Sequence, residues 1–210
     1  LSDSTWDRLR QTDEGGRLNT AQNIRTGADF FVNDNNTLYL SADISLGTNL
    51  GTRLVNYDQV DNSSDLLSYS VRDGQIDVPS QNNTFNAGWQ KTFKNPEHTL
   101  DVDFNYSISS MLADERLRHD YYLSDQTHDS TAYQNTLDDN SFITSISKID
   151  YVLPINDSLR FEAGFHFTYR FSNSAFLSES SSDGITFAND SAISNRFMYL
   201  QNTFAPYAIL

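Results

Sequence analysis

The sequence predicts an all-β fold, an antiparallel up-and-down transmembrane β-barrel to which this chain contributes about seven strands. Three observations carry that prediction. Residues 159–171, LRFEAGFHFTYRF, alternate without a break: Leu159, Phe161, Ala163, Phe165, Phe167, Tyr169 and Phe171 on one parity, Arg160, Glu162, Gly164, His166, Thr168 and Arg170 on the other. Strand side chains alternate faces with period two, so one face is aromatic and aliphatic and the other polar. At roughly 3.3 Å per residue the run is about 43 Å long, and tilted by about 45° it spans about 30 Å, the hydrocarbon thickness of a bilayer. The second observation is that tight polar turns and long polar connections take turns along the chain. The third is that no run of about eighteen apolar residues exists, which excludes a spanning helix.

Residues 1–19 contain Trp6 and Asp13-Glu14-Gly15-Gly16 without a sustained period, and read as a long loop. A strand is expected over 20–32, with Ile24, Thr26, Ala28, Phe30 and Val32 opposite Arg25, Gly27 and Asp29. Asn33-Asp34-Asn35-Asn36 is a turn, since these side chains bond their own backbone and tolerate positive φ. Residues 37–46 return, with Leu38, Leu40, Ala42, Ile44 and Leu46 on one face. A long connection is expected over 47–81, strands over 84–93 and 99–108, and a turn at Lys94-Asn95-Pro96-Glu97 between them, where Pro96 fixes φ. A second long connection covers 110–140. Strands over 141–153 and 159–171 flank the turn at 154–158, a third long connection covers 174–195, and 196–210 is a last strand. An odd strand count, with no turn after the last strand, reads as an internal piece of a larger barrel, because bacterial single-chain barrels have even counts. The first residue is Leu1 and no signal segment follows, which suggests processing or a fragment.

The 210 residues carry 28 acids against 14 bases, a net charge of −14, and no basic stripe, which argues against nucleic acid as a partner. Only alternate residues of a barrel meet lipid, so the negative mean hydropathy does not oppose a membrane location. The absence of cysteine removes disulfides, thiolate metal sites and cysteine nucleophiles. No phosphate-binding glycine loop, zinc helix or nucleophile elbow occurs. His98, His119, His128 and His166 are scattered among different segments, and no metal or other cofactor is expected. Asp61-x-Ser63-x-Asp65 spaces oxygen ligands as calcium loops do, yet lacks the turn glycine and distal glutamate and reads as an acidic loop. Asp101 and Asp103 with Glu162 do not define a general acid, so the chain is not expected to be an enzyme.

Two sets of wall residues follow from the alternation. Asp101, Asp103, Asn105, Arg160, Glu162, His166 and Arg170 are expected to face the lumen; Trp89, Leu100, Phe104, Tyr106, Phe161, Phe165 and Phe167 are expected to face lipid. Arg160, His166 and Arg170 are expected to pair with acids such as Asp101 and Asp103 on neighbouring strands, since cross-strand opposite charges are common.

Arg25-Thr26-Gly27-Ala28-Asp29-Phe30-Phe31 and the following Asn33-Asp34-Asn35-Asn36-Thr37-Leu38 resemble a strand and turn of the Bacteroidota outer-membrane β-barrel family, which is similar to the C-terminal barrels of TonB-dependent receptors. Residues 85–93, the turn at 94–97 and residues 100–106 resemble its next hairpin, and 196–207 a later strand. The resemblance covers most of 20–210. It implies an outer-membrane location, outer-membrane lipid as a partner, and ligand uptake. It also implies a plug domain and a TonB-type energy-coupling protein as further partners, although neither the plug nor the TonB-contacting segment has a counterpart in these residues. The rival readings are a non-transporting surface adhesin or assembly barrel, and a soluble carbohydrate-binding β-sandwich.

Overall fold

A computed structural model of the chain describes residues 8–156 and 158–210. Eight strands follow one another: β1 Arg8–Asn33, β2 Asn36–Val60, β3 Leu66–Thr92, β4 Thr99–Leu123, β5 His128–Asn156, β6 Leu159–Ser181, the two-residue β7 Ala188–Asn189, and β8 Asn195–Ile209. Every pairing is antiparallel and β1 to β6 lie in chain order, each beside the next. β8 pairs with β6 along Glu162–Phe176, and β7 sits above it on the same edge at Glu179 and Ser180. This is a single up-and-down sheet, open in the structure, with β1 and β8 as its edges.

The seven expected strands lie within the observed ones to within a residue at their ends, but the observed strands are far longer, 23 to 29 residues for β1 to β6. The long connections expected over 47–81 and 110–140 are therefore corrected. They are the upper halves of hairpins, and only 61–65 and 124–127 join β2 to β3 and β4 to β5. The expected connection over 174–195 shrinks to 182–194, with β7 inside it. Residues 8–19, expected as loop, belong to β1; Trp6, and Asp157 of the third turn, lie outside the described residues. The physical reason is that both faces of these upper halves are polar, so no period-two contrast marks them, while the backbone ladder continues regardless.

Asx side chains close the turns at both ends. At one end the Oδ1 atoms of Asn33, Asn95 and Asn156 accept the amides of Asn35, Glu97 and Ser158 at 3.0, 3.1 and 3.0 Å. At the other end aspartates do the same work: Asp61 for Ser63 at 2.8 Å, Asp125 for Thr127 at 3.0 Å and Asp183 for Ile185 at 2.9 Å. Asp61, whose spacing with Ser63 and Asp65 reads as an acidic loop rather than a calcium loop, has its Oδ1 occupied by its own turn, where it also accepts the Asp65 amide at 2.9 Å.

No second layer covers the sheet among the described residues, and the buried hydrophobic core there consists of Val55 alone. Phe30, Leu40, Phe85, Phe104, Phe165 and Phe204 are exposed. A soluble β-sandwich buries one face of each sheet against the other, and that rival reading does not describe this arrangement. A sheet with this much uncovered apolar surface needs a solvent other than water on one face.

Candidate functional site

Residues paired directly across an antiparallel ladder share a face. One pairing row runs through Phe30, Leu38, Trp89, Val102, Ile149, Phe165 and Pro206, apolar on all seven long strands. Three further rows up, on the same face, stand Ile24, Ile44, Asn83, Ile108, Ile143, Phe171 and Leu200. From the Phe30 row to the row of Gln22 and Leu46, no residue on this face carries a charge. That is nine residues of strand, or about 30 Å, which a tilt of about 45° reduces to about 21 Å, close to the roughly 25 Å apolar band of an outer-membrane barrel. All seven residues expected to face lipid lie on this face.

The row between carries the opposite chemistry: Asp29, Tyr39, Gly88, Asp103, Lys148, His166 and Ala205. All seven residues expected to face the lumen are on this second face. Their partners differ from those expected. Because β5 lies between β4 and β6, Asp103 stands opposite Lys148, and Asp101 opposite Asp150; neither meets a base of β6. Lys148 instead bonds Asp150 at 2.5 Å on its own strand, and Arg160 bonds Glu162 two residues along. His166 shares a hydrogen bond with Thr168 Oγ1 at 3.0 Å, and Arg170 stands between Thr144 and Gln201 in the pairing. Asn105 donates to Asn86 Oδ1 at 2.7 Å and Asn86 to Ser41 Oγ at 3.0 Å, an amide ladder across three strands. Two glycines on this face seat aromatic rings: Tyr39 lies over Gly88, and Tyr207 over Gly164. The Tyr207 hydroxyl donates to Asp150 Oδ1 at 2.5 Å, which fastens β8 across β6 to β5.

Above the band the first face also becomes charged, with Asp73, Asp77, Arg116 and Arg118. Asp120 is nearly buried there; burial alone would raise its pKa, but Thr131 Oγ1 at 2.7 Å and the Arg118 guanidinium hold it below the usual carboxylate range. The second face at this level holds a feature that sequence reading missed. Arg17, Arg53 and Arg72 lie on it with Gly15, Gly51 and Gly74, around a cavity of about 470 Å³. Residues 17, 53 and 72 are distant in sequence, and the β1–β2 register from the turn at 33–36 and the β2–β3 register from the connection at 61–65 bring them together.

The histidines are held separately. His98 stacks on Phe93 with ring centroids 3.8 Å apart, His119 contacts Ser70 Oγ at 2.9 Å, and His128 contacts Thr131 Oγ1 at 2.9 Å. No group of three or more His, Asp or Glu among the described residues is arranged to hold a metal ion.

Compared with known families, residues 91–210 match the outer membrane protein beta-barrel family, more than half of the chain. None of the curated proteins compared with the chain matches it.

Proposed function

The chain belongs to the outer membrane protein beta-barrel family and resides in the outer membrane, and from that premise we propose that it forms wall of a TonB-dependent-receptor-like barrel that takes up a ligand. The uncharged aromatic face meets lipid, and the polar face lines the lumen. The chain carries no catalytic residue; its work is to bind and admit. A plug domain and a TonB-type energy-coupling protein are its partners in this reading.

The observation that supports uptake is the height of the wall. Crossing a membrane takes about 9–11 strand residues, yet β1 to β5 have 25 to 29. The surplus of about fourteen residues, at about 3.3 Å each and tilted by about 45°, raises the wall about 30 Å beyond the bilayer. A wall that high encloses a vestibule in which a solute can be bound before passage, and its polar face carries the cavity described above. An adhesin needs external loops, but not an inward-facing cavity.

The test is genetic and then biochemical. Cells lacking the gene are grown on a panel of sole carbon, iron and phosphorus sources, and any lost growth is restored with the full-length gene. The restoring nutrient, radiolabelled, should accumulate in cells and stop accumulating when a protonophore collapses the proton gradient. Unchanged growth on every source together with lost surface attachment would refute uptake in favour of the adhesin.

A further inference from the structure

We propose that the lumen wall above the apolar band carries a binding site for a small carboxylate or phosphate anion, built from Arg17, Arg53 and Arg72 over a glycine floor. The proposal rests on the uptake reading and names the class of solute. The three arginines fall on a diagonal, one on each of β1, β2 and β3, and glycines occupy the squares between them. Arg53 is flanked in its pairing row by Gly15 and Gly74, and Arg17 stands beside Gly51. A Cβ on Gly15 would meet Thr52 O at 2.5 Å, on Gly51 the Ile76 Cγ2 at 2.8 Å, and on Gly74 the Leu117 Cδ2 at 2.9 Å. Larger residues there would fill the floor over which the guanidinium groups reach.

Charge decides what fits. The cavity is lined by three arginines against Asp13 and Glu115, an excess of positive charge in a chain of net charge −14. Asp13 is already committed: the Arg53 Nε donates to its Oδ2 at 2.8 Å, and this contact holds the Asp13 carboxyl below its ordinary pKa. Arg17 and Arg72 make no ion pair among the described residues. Next to the cavity, the His119 imidazole has its pKa lowered, first by burial and then by the Arg72 charge, so it stays neutral and adds no competing interaction near neutral pH. A guanidinium presents a planar fork of donors that suits carboxylate and phosphate oxygens. The cavity volume lies within the range of about 300–1,000 Å³ usual for small-molecule sites.

The experiment uses the intact full-length barrel in detergent micelles, titrated calorimetrically with pyrophosphate, with citrate, and with neutral sorbitol. One of the two anions should bind and sorbitol should not; pyrophosphate alone would identify a phosphate ligand, citrate alone a carboxylate. The double variant R17Q/R72Q should weaken the anion by about tenfold or more, as expected for loss of charge-assisted hydrogen bonds. R116Q, on the outer face, should leave it unchanged. Heat-modifiable migration reports whether each variant is folded. If R17Q/R72Q does not fold, R17K/R72K keeps the charges without the forks and should still weaken binding. No anion binding by the unaltered protein, equal binding of sorbitol, or folded arginine variants that bind as before would overturn the site. Anion binding without energised uptake would leave the site standing and sink the uptake reading, while energised uptake without anion binding would do the reverse.

Discussion

Phe165 and His166 are adjacent in sequence and at nearly the same depth, so replacing each with arginine isolates the effect of facing. Phe165 pairs with Ile149 and Pro206 in a row uncharged on all seven long strands, and its ring lies 6.3 Å from that of Phe204. Along β6 itself the side chains of this face run uncharged from Leu159 to Phe171, about 28 Å of height at about 3.3 Å per residue and about 45° of tilt, and Phe165 is the middle residue of that run. That is close to the midplane, where an arginine on the lipid face costs about 2–4 kcal/mol. His166 pairs with Lys148 and Ala205, and loses one hydrogen bond, to Thr168. The net worth of such a bond is about 1 kcal/mol, and Asp150 and Asp103 beside Lys148 partly offset it by receiving the new charge. His166→Arg should therefore cost under about 1 kcal/mol. The assay is urea-dependent folding into lipid vesicles, because Phe165→Arg would also destabilise a soluble core. Equal costs, or a larger one at His166, would refute the facing; a cost under about 1 kcal/mol at Phe165 would show that this row does not lie in hydrocarbon.

Three more predictions test other parts of the wall. Cysteines at Ser63, Ser124 and Ser182 should react with an impermeant thiol reagent on intact cells while one at Asn35 does not; the reverse pattern would invert the orientation. The neighbouring Ser64 and Gln126 hold left-handed φ values of 71° and 66°, a conformation that cysteine tolerates poorly. Gly88→Val places a side chain where the Tyr39 ring lies and should cost about 1–3 kcal/mol in vesicle refolding. Tyr39→Ala with Gly88→Val should cost less than the two single changes added, because they share one contact. Acid should loosen the aspartate-closed tips before the asparagine-closed turns. The carboxyls of Asp183 and Asp125 are held below the usual range by amides and hydroxyls of their own turns, so their contribution is complete above the unfolded value of about 3.9 and is lost as pH falls through the lower folded value. Hydrogen exchange at Ile185 and Thr127, corrected for intrinsic rates, should rise below about pH 4 while Asn35 and Glu97 stay protected.

Legibility in the sequence followed the solvent. Within the apolar band every strand was readable, because lipid on one face and water on the other impose a period-two contrast: Leu100, Val102, Phe104, Tyr106 and Ile108 against Asp101, Asp103, Asn105 and Ser107. Above the band water bathes both faces and the contrast vanishes. In β3, Asp73, Gln75 and Asp77 alternate with Arg72 and Gly74, neither side apolar until Ile76, so the segment resembles a loop although its ladder is continuous. The extension was still recoverable in principle. The β1–β2 register holds without a slip from Phe31 and Thr37 to Arg8 and Val60, so the turn at 33–36 specifies the pairing of the whole hairpin. The expected pairing of Arg160, His166 and Arg170 with acids such as Asp101 and Asp103 fails for a different reason: β5 lies between β4 and β6 and separates them.

The same difference of solvent divides stability along each strand. In the band, apolar side chains leave water for lipid, a gain of roughly 25 cal/mol per Å². Above it, Val55 is the one buried hydrophobic among the described residues, and the cross-strand ion pairs Arg10–Asp58 and Arg53–Asp13 are exposed, where such pairs contribute about 0–1 kcal/mol. The upper wall therefore rests on its backbone ladder and short-range contacts, and local opening should begin there while the band stays closed. Low local stability would suit the proposed uptake, in which this surface admits a solute. A ligand bridging Arg17 and Arg72 would join β1 to β3 at this weak level, and binding only the closed arrangement would stabilise it by mass action. Ligand contact and wall rigidity are then linked quantities, so hydrogen-exchange protection at Gly15, Gly51 and Gly74 should rise with the anion that the arginines hold, and protection within the band should not change.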